Sequence, residues 1–374
     1  MNRSRLDGPP RGNRDATFGA DAARWHRTRA RTMATEHRSF IRALHVRRRS
    51  SLVTIFVLTA AQLTMAAICG RLPIEWVLLS SATIGAFLGW GSHNFLHDVT
   101  HRSVALTGNP LVQAFLMRLC MLPHPDLSLY LYYRWHHIAH HKNLARDSVQ
   151  EVMFGHDRDA DALAISSFYR VKATPDGRPR SRTPGLFRSS PAKVLVGVFP
   201  LVDFLITNLL FIRHGLFFLI ETLGSKRGVS STRHRARGSA LRHLLMVTCV
   251  QAVFWSLFGW KAPLFLLLSF LFVKGFLLHP YILFWVTIHK TTHHGDQCQP
   301  TTSTYGGSTN FIFWGLTNHV EHHDFPGVPS PDLPRLRERF PKHYDSLFSF
   351  TSMWDAYRGF LASDEAWVYG CQDA

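Results

Sequence analysis

Apolar runs about as long as a bilayer is thick, each abutted by basic residues, constrain this chain more than any other feature. Ser51 to Gly70 carries no charge, and Arg47, Arg48 and Arg49 directly precede it. Leu72 to Trp90 follows, interrupted only by Glu75, with Arg71, Leu72 and Pro73 as the turn. Two further runs cover 244–260 and 263–288, joined by Gly259-Trp260-Lys261-Ala262-Pro263. The basic stretch 226–242 precedes that second pair. Basic residues flank membrane spans on the cytoplasmic side, so each pair reads as a hairpin that returns the chain to the cytoplasm. The pattern predicts an all-α, polytopic membrane protein with about four transmembrane helices in two hairpins and both termini cytoplasmic.

Two apolar stretches do not fit as spans. Val104 to Leu122 includes Asn109, Pro110 and Arg118, and Val194 to Ile220 includes Pro200, Asp203, Asn208, Arg213 and His214. A span at 194–220 would also place the basic 226–242 loop outside. Both are read as interfacial or re-entrant elements, 104–122 and 194–220, packed beside the spans. The expected organisation is a basic, cytoplasmic, mostly disordered segment over 1–50, a membrane domain over 51–362 and a tail over 363–374.

The formal net charge is +17, and residues 1–50 hold 13 arginines against four acids. Nucleic-acid binding is one source of such a balance. Placement of the arginines beside apolar runs favours membrane topology instead. Five cysteines, Cys69, Cys120, Cys249, Cys298 and Cys371, form no CxxC pair. That argues against a disulfide framework or a zinc ribbon.

Twenty-three histidines are the unusual count, and they cluster. The clusters read His93-Asn-Phe-Leu-His97-Asp98-Val-Thr-His101, His136-His137-Ile-Ala-His140-His141, His289-Lys-Thr-Thr-His293-His294 and Asn318-His319-Val-Glu321-His322-His323-Asp324. All fall on the predicted cytoplasmic side. On a helix, positions i, i+3 and i+4 share a face, so each group is expected to aim its imidazoles at one point. Imidazole suits iron, copper, zinc or nickel. A single zinc takes about four protein ligands, so this set is too large for one ion and suits two. His26, His45, His156 and His243, outside these clusters, are read as ordinary surface or core residues.

Three boxes of the forms HDxxH, HxxHH and HxxHH, in this order and topology, resemble those of the integral membrane fatty acid desaturase and hydroxylase superfamily. The resemblance covers about residues 50–360. It sharpens at Leu278-His279-Pro280, His289, Tyr305-Gly306 and the stretch from His319 to Pro329, which is similar to the sphingolipid delta-4 (dihydroceramide) desaturases. The likeness continues through Leu333-Pro-Arg-Leu-Arg and His343-Tyr344-Asp345-Ser346-Leu347. Ile288 and Phe284 depart from that branch, which has an acid and a histidine there.

The resemblance implies a non-haem diiron centre, two Fe ions, with O2 as co-substrate. Its ligands would be His97, His101, His137, His140, His141, His289, His319, His322 and His323. His293 and His294 are substitutes for His289, and His93 and His136 are extras. Metal-bound imidazoles commonly donate their other N–H to a carboxylate or carbonyl. Asp98, Asp147, Asn318, Glu321 and Asp324 are the candidate partners, with solvent-facing loop positions as the competing reading.

The implied enzyme is a membrane-bound, O2-dependent lipid desaturase acting on a fatty-acyl or sphingoid chain. A hydroxylase or ketolase on the same scaffold is the alternative, and a non-catalytic metal-binding or transporting membrane protein is the alternative of another class. A transporter would carry its polar ligands near the bilayer midplane, whereas these histidines lie at or beyond the span ends. The sequence shows no flavin, dinucleotide or haem-binding motif, so electrons would come from a separate ferredoxin or small b-type cytochrome.

Overall fold

The computed structural model describes residues 18–142, 144, 205, 208, 209, 212, 230–274, 288, 289, 292–294 and 297–362. The expectations for Asp147, His156, His279, Phe284, the tail at 363–374 and most of 194–220 lie outside these residues.

Within the segment expected to be disordered, two helices form: α1, Phe18–Glu36, and α2, Arg38–Leu44. The expectation does not hold for residues 18–44, for a physical reason. Met33, Ile41 and Leu44 bury against Val320, Phe325, Val328, Leu333, Leu336, Phe340 and Tyr344 near the other end of the chain. Composition alone showed charge but not that partner surface.

Helix α3, Arg49–Cys69, starts at the arginine cluster. After the turn at Gly70–Pro73 the chain enters α4, Ile74–Thr100, which contains one π-helical turn at Ser81–Gly85. Both are long and apolar enough to cross a membrane. At 27 residues α4 is longer than the expected 72–90 run, because Trp90 to Thr100 continues it. About 40 Å of helix against roughly 30 Å of hydrocarbon leaves its last turns, with His97, above the core of a bilayer.

Helix α5, Pro110–Met121, begins where the sequence seemed interrupted. The Asn109 side chain accepts from the Leu111 N–H at 2.8 Å, and Pro110 occupies the first turn, so both residues start the helix. Helix α6, Leu127–Leu131, continues through a π turn, Tyr132–His136, into α7, His137–Lys142. Helix α8, Ser230–Phe258, includes the third stretch suited to crossing a membrane, 237–258. Helix α9, Lys261–Lys274, is the described part of the predicted fourth span.

These helices pack by small residues. Gly85 and Gly89 of α4 face α9, where an added Cβ would run into Ser269 and Phe265, or into Val273. That spacing lets two helices approach closely in a bilayer. The opposite faces stay apolar and exposed, with Val53 at 62%, Leu245 at 61% and Leu257 at 67%. Such a belt is costly in water and suited to lipid.

Beyond the helices, a cap assembles from short elements. β1, Thr292–His294, pairs antiparallel with β2, Gln297–Gln299. β3, Ser303–Thr304, pairs parallel with β4, Ser349–Phe350. Between them lie α10, Gly307–Ile312, α11, His319–Asp324, α12, Pro334–Arg339, and α13, Pro341–Tyr344; α14, Met353–Ala362, follows β4. Two links fasten this cap to the spans. Asp98 of α4 accepts from the Ser330 backbone N–H at 3.0 Å and from its hydroxyl, and Arg48 pairs with Asp332 at 2.9 Å.

Candidate metal centre

Nine histidines meet where the ends of α4 and α7 face α11. They divide into two groups: His97, His101, His137, His141 and His322; and His140, His289, His319 and His323. Within each group one ring nitrogen of every residue lies within 4.8 Å of the others. All nine candidates from the sequence fall in these groups.

The division differs from the expectation that each box aims at one point. His137 and His141 enter the five-histidine group, while His140, between them, enters the other. The third box mirrors this: His319 and His323 share the four-histidine group and His322 crosses over. At about 100° per residue, i and i+4 sit 40° apart but i+3 and i+4 sit 100° apart, so neighbouring ligands point to neighbouring foci. The two groups are in contact, with the His141 and His323 ring centroids 4.3 Å apart.

In the five-histidine group the Nε2 atoms approach in a chain. His97 to His322 is 3.0 Å, His322 to His141 is 3.0 Å, His141 to His137 is 3.3 Å and His137 to His101 is 2.9 Å. In the other group His140 to His289 is 3.2 Å, His289 to His319 is 3.3 Å and His319 to His323 is 3.0 Å. An imidazole Nε2 holds either one hydrogen or one in-plane lone pair. Hydrogen bonding therefore satisfies only half of the four approaches in the longer chain. A cation satisfies all of them: two nitrogens about 2.1 Å from an ion and at right angles lie about 3.0 Å apart. The residues fit metal ions.

Burial enforces the protonation state that metal binding needs. Removal from water holds His137, His141, His319, His322 and His323 well below the usual imidazole range, and neighbouring imidazoles add to the effect. The rings are neutral at pH 7, with a lone pair to offer.

The candidate hydrogen-bond partners divide. Asp98 Oδ1 lies 3.4 Å from His97 Nδ1, beside its stronger bonds to Ser330. Glu321 bonds no box histidine: its carboxylate accepts from the Ser303 hydroxyl at 2.6 Å and the Tyr305 hydroxyl at 2.7 Å. Burial raises the Glu321 carboxyl above its usual range, and these two donors oppose the rise. Asn318 donates to Asn310 Oδ1 at 2.7 Å and to the Gly315 carbonyl at 2.8 Å, holding the turn before α11. Asp324 pairs with His26 Nδ1 at 2.7 Å and Arg29 Nε at 3.2 Å.

Sequence reading missed several contributors. Tyr132, just ahead of the second box, places its hydroxyl 3.0 Å from His137 Nδ1. Tyr133 holds His93 Nε2 at 2.8 Å, which gives that extra histidine a partner one turn before His97. His26, read as an ordinary histidine, packs against His323 with centroids 5.1 Å apart. Its separation of 298 residues from Asp324 leaves no local signal that could have found it.

Fold and site together define a helical, membrane-integral protein whose apolar helices carry, at one end, two adjoining groups of histidines that could each hold a metal ion. A model of the fatty acid desaturase family matches residues 74–351, and the chain belongs to that family. It is a lipid desaturase, an oxidoreductase. The chain is similar to the human (Homo sapiens) sphingolipid delta(4)-desaturase/C4-monooxygenase, 24% identical over 305 residues, 80% of this chain and 78% of that protein. The cattle (Bos taurus) protein of the same description is 25% identical over 306 residues, covering 81% and 79%. A rice (Oryza sativa subsp. japonica) sphingolipid delta(4)-desaturase-like protein is 36% identical over 95 residues, 25% of this chain and 27% of its own length.

Proposed function

We propose that each histidine group holds one iron ion, and that the loaded protein uses O2 to introduce a double bond into a sphingoid chain drawn from the bilayer. The observation that carries this is the convergence of nine Nε2 atoms on two touching foci at the end of the spans. His97, His101, His137, His141 and His322 would hold one ion, and His140, His289, His319 and His323 the other. When bound, the iron pair supplies an oxidant for a methylene C–H that no side-chain base can deprotonate.

The residues themselves do the holding and orienting. Neutral imidazoles bind the ions without adding the charge a carboxylate set would bring. The Tyr132 hydroxyl and the Asp98 carboxylate fix the His137 and His97 rings through their Nδ1 atoms. Glu321, held by Ser303 and Tyr305, sets the rotation of α11 and so the aim of three histidines. Burial of the site excludes bulk water from a reaction that ends in water: two hydrogens leave the substrate, two electrons and two protons arrive from outside, and O2 departs as two waters.

A separate ferredoxin or b-type cytochrome is the proposed electron source. An acidic donor suits a cytoplasmic face as basic as this one. The topology proposed is of four spans, with both termini, the histidine boxes and the cap in the cytoplasm, and with a membrane domain over 51–362 between a basic segment at 1–50 and a tail at 363–374. Arginines 47–49 at the start of α3 support that orientation. The sphingoid substrate is supported by the activity for which the relatives are named.

The test is expression in a host that makes saturated sphingoid bases, followed by lipid mass spectrometry in air and at low oxygen. The expected product is a 4,5-unsaturated base that falls away without oxygen. Changes confined to simple fatty acids would overturn the sphingoid substrate, and a 4-hydroxylated base would make the chain a monooxygenase.

A further inference from the structure

Helix α1 lies outside residues 74–351, yet it delivers His26 to the third box. His26 is 3% exposed and its two ring nitrogens have different partners. Nδ1 lies 2.7 Å from Asp324 Oδ1, and Nε2 lies 3.1 Å from the Thr301 hydroxyl. One tautomer satisfies both: Nδ1–H donates to the carboxylate and Nε2 accepts from the hydroxyl. Arg29, one turn further along α1, donates Nε to the other carboxylate oxygen at 3.2 Å. Asp324 ends α11 and follows His323, whose ring lies against that of His26.

These contacts are separate from the apolar anchor of α1. Met33, fully buried among Val320, Phe325 and Leu333, supplies the apolar anchor. Beyond that anchor, a histidine and an arginine pair with one buried carboxylate, and a threonine holds the far nitrogen of the histidine. We propose that His26 is a positioning residue for the four-histidine group. It pins Asp324 and backs the His323 ring, so that His319 and His323 meet His140 and His289 in a geometry ready for a metal ion. This deepens the two-metal reading and rests on it.

The experiment loads the full-length, metal-free protein in detergent with Fe(II) alone under anaerobic conditions and measures iron retained against a competing chelator. Wild type is expected to hold iron at both groups. His26→Ala is expected to hold iron at the five-histidine group as wild type does, and to release it from the other at roughly ten- to a hundredfold lower chelator concentration. His26→Asn, whose amide N–H takes the place of Nδ1–H, is expected to restore most of the retention.

Equal retention by His26→Ala and wild type overturns the proposal. If His26→Ala does not fold, Thr301→Val replaces it. That variant removes only the donor to Nε2, and unchanged retention in it overturns the proposal as well. A wild-type protein that holds iron at neither group defeats the two-metal reading instead.

Discussion

His97 and His322 stand 225 residues apart in the chain, and their Nε2 atoms are 3.0 Å apart in the fold. That approach joins the end of a membrane-spanning helix to a short helix of the cap. The same cap segment closes on α4 a second time, through Asp98 and Ser330.

Removing either side of the first junction should empty the five-histidine group. His322→Ala is expected to abolish product and lower the iron content while the purified protein keeps its helical circular dichroism. His140→Ala should do the same for the four-histidine group. Wild-type iron content and turnover in either variant would remove that residue from the ligand set.

The second junction should appear as stability. Ser330→Ala removes a hydroxyl that donates to the buried Asp98 carboxylate, a charge-assisted bond worth about 2 kcal/mol. Its thermal midpoint in detergent is expected to fall, most visibly when metal is absent and the cap has fewer ties. No fall would mean that the backbone N–H of Ser330 suffices.

The metal-free protein should lose stability as the pH drops. The buried imidazoles of His137, His141, His319, His322 and His323 titrate well below their unfolded value of 6.5. Between those folded values and 6.5 the unfolded chain binds more protons, so stability rises with pH through that window. Midpoints measured at pH 7.5 and 5.5 on chelator-treated protein should therefore fall toward the lower pH. A flat profile would show that these rings are more hydrated than their burial implies.

Helix packing in the membrane part makes a separate prediction. Gly85→Leu drives a side chain into Ser269 and Phe265 of α9. Overpacking of that kind costs about 1–3 kcal/mol, and the variant should yield less folded protein on size-exclusion chromatography. Ile84→Leu, one residue away at an exposed position, is the control and should behave as wild type.

Eight of the nine histidines were legible in short spacings that a helix repeats, and His289 only through the family resemblance. The spans were legible because a bilayer demands long apolar runs. His26 was not legible: nothing near it in the chain distinguishes it from His45, and only the folding of α1 onto α11 gives it Asp324. Asn109 and Pro110 interrupt an apolar run in the sequence and start α5 in the fold, because the residues that interrupt a helix also begin one.

The amino-acid order alone determined which histidines cluster and that they lie at the ends of apolar helices, since helical periodicity and hydrophobic length are local properties. Only the tertiary structure decided that His140 and His141 part company, that His322 crosses to the first box, and that an N-terminal helix braces the third. Those outcomes depend on contacts between elements hundreds of residues apart, whose geometry is set by packing and not by spacing along the chain.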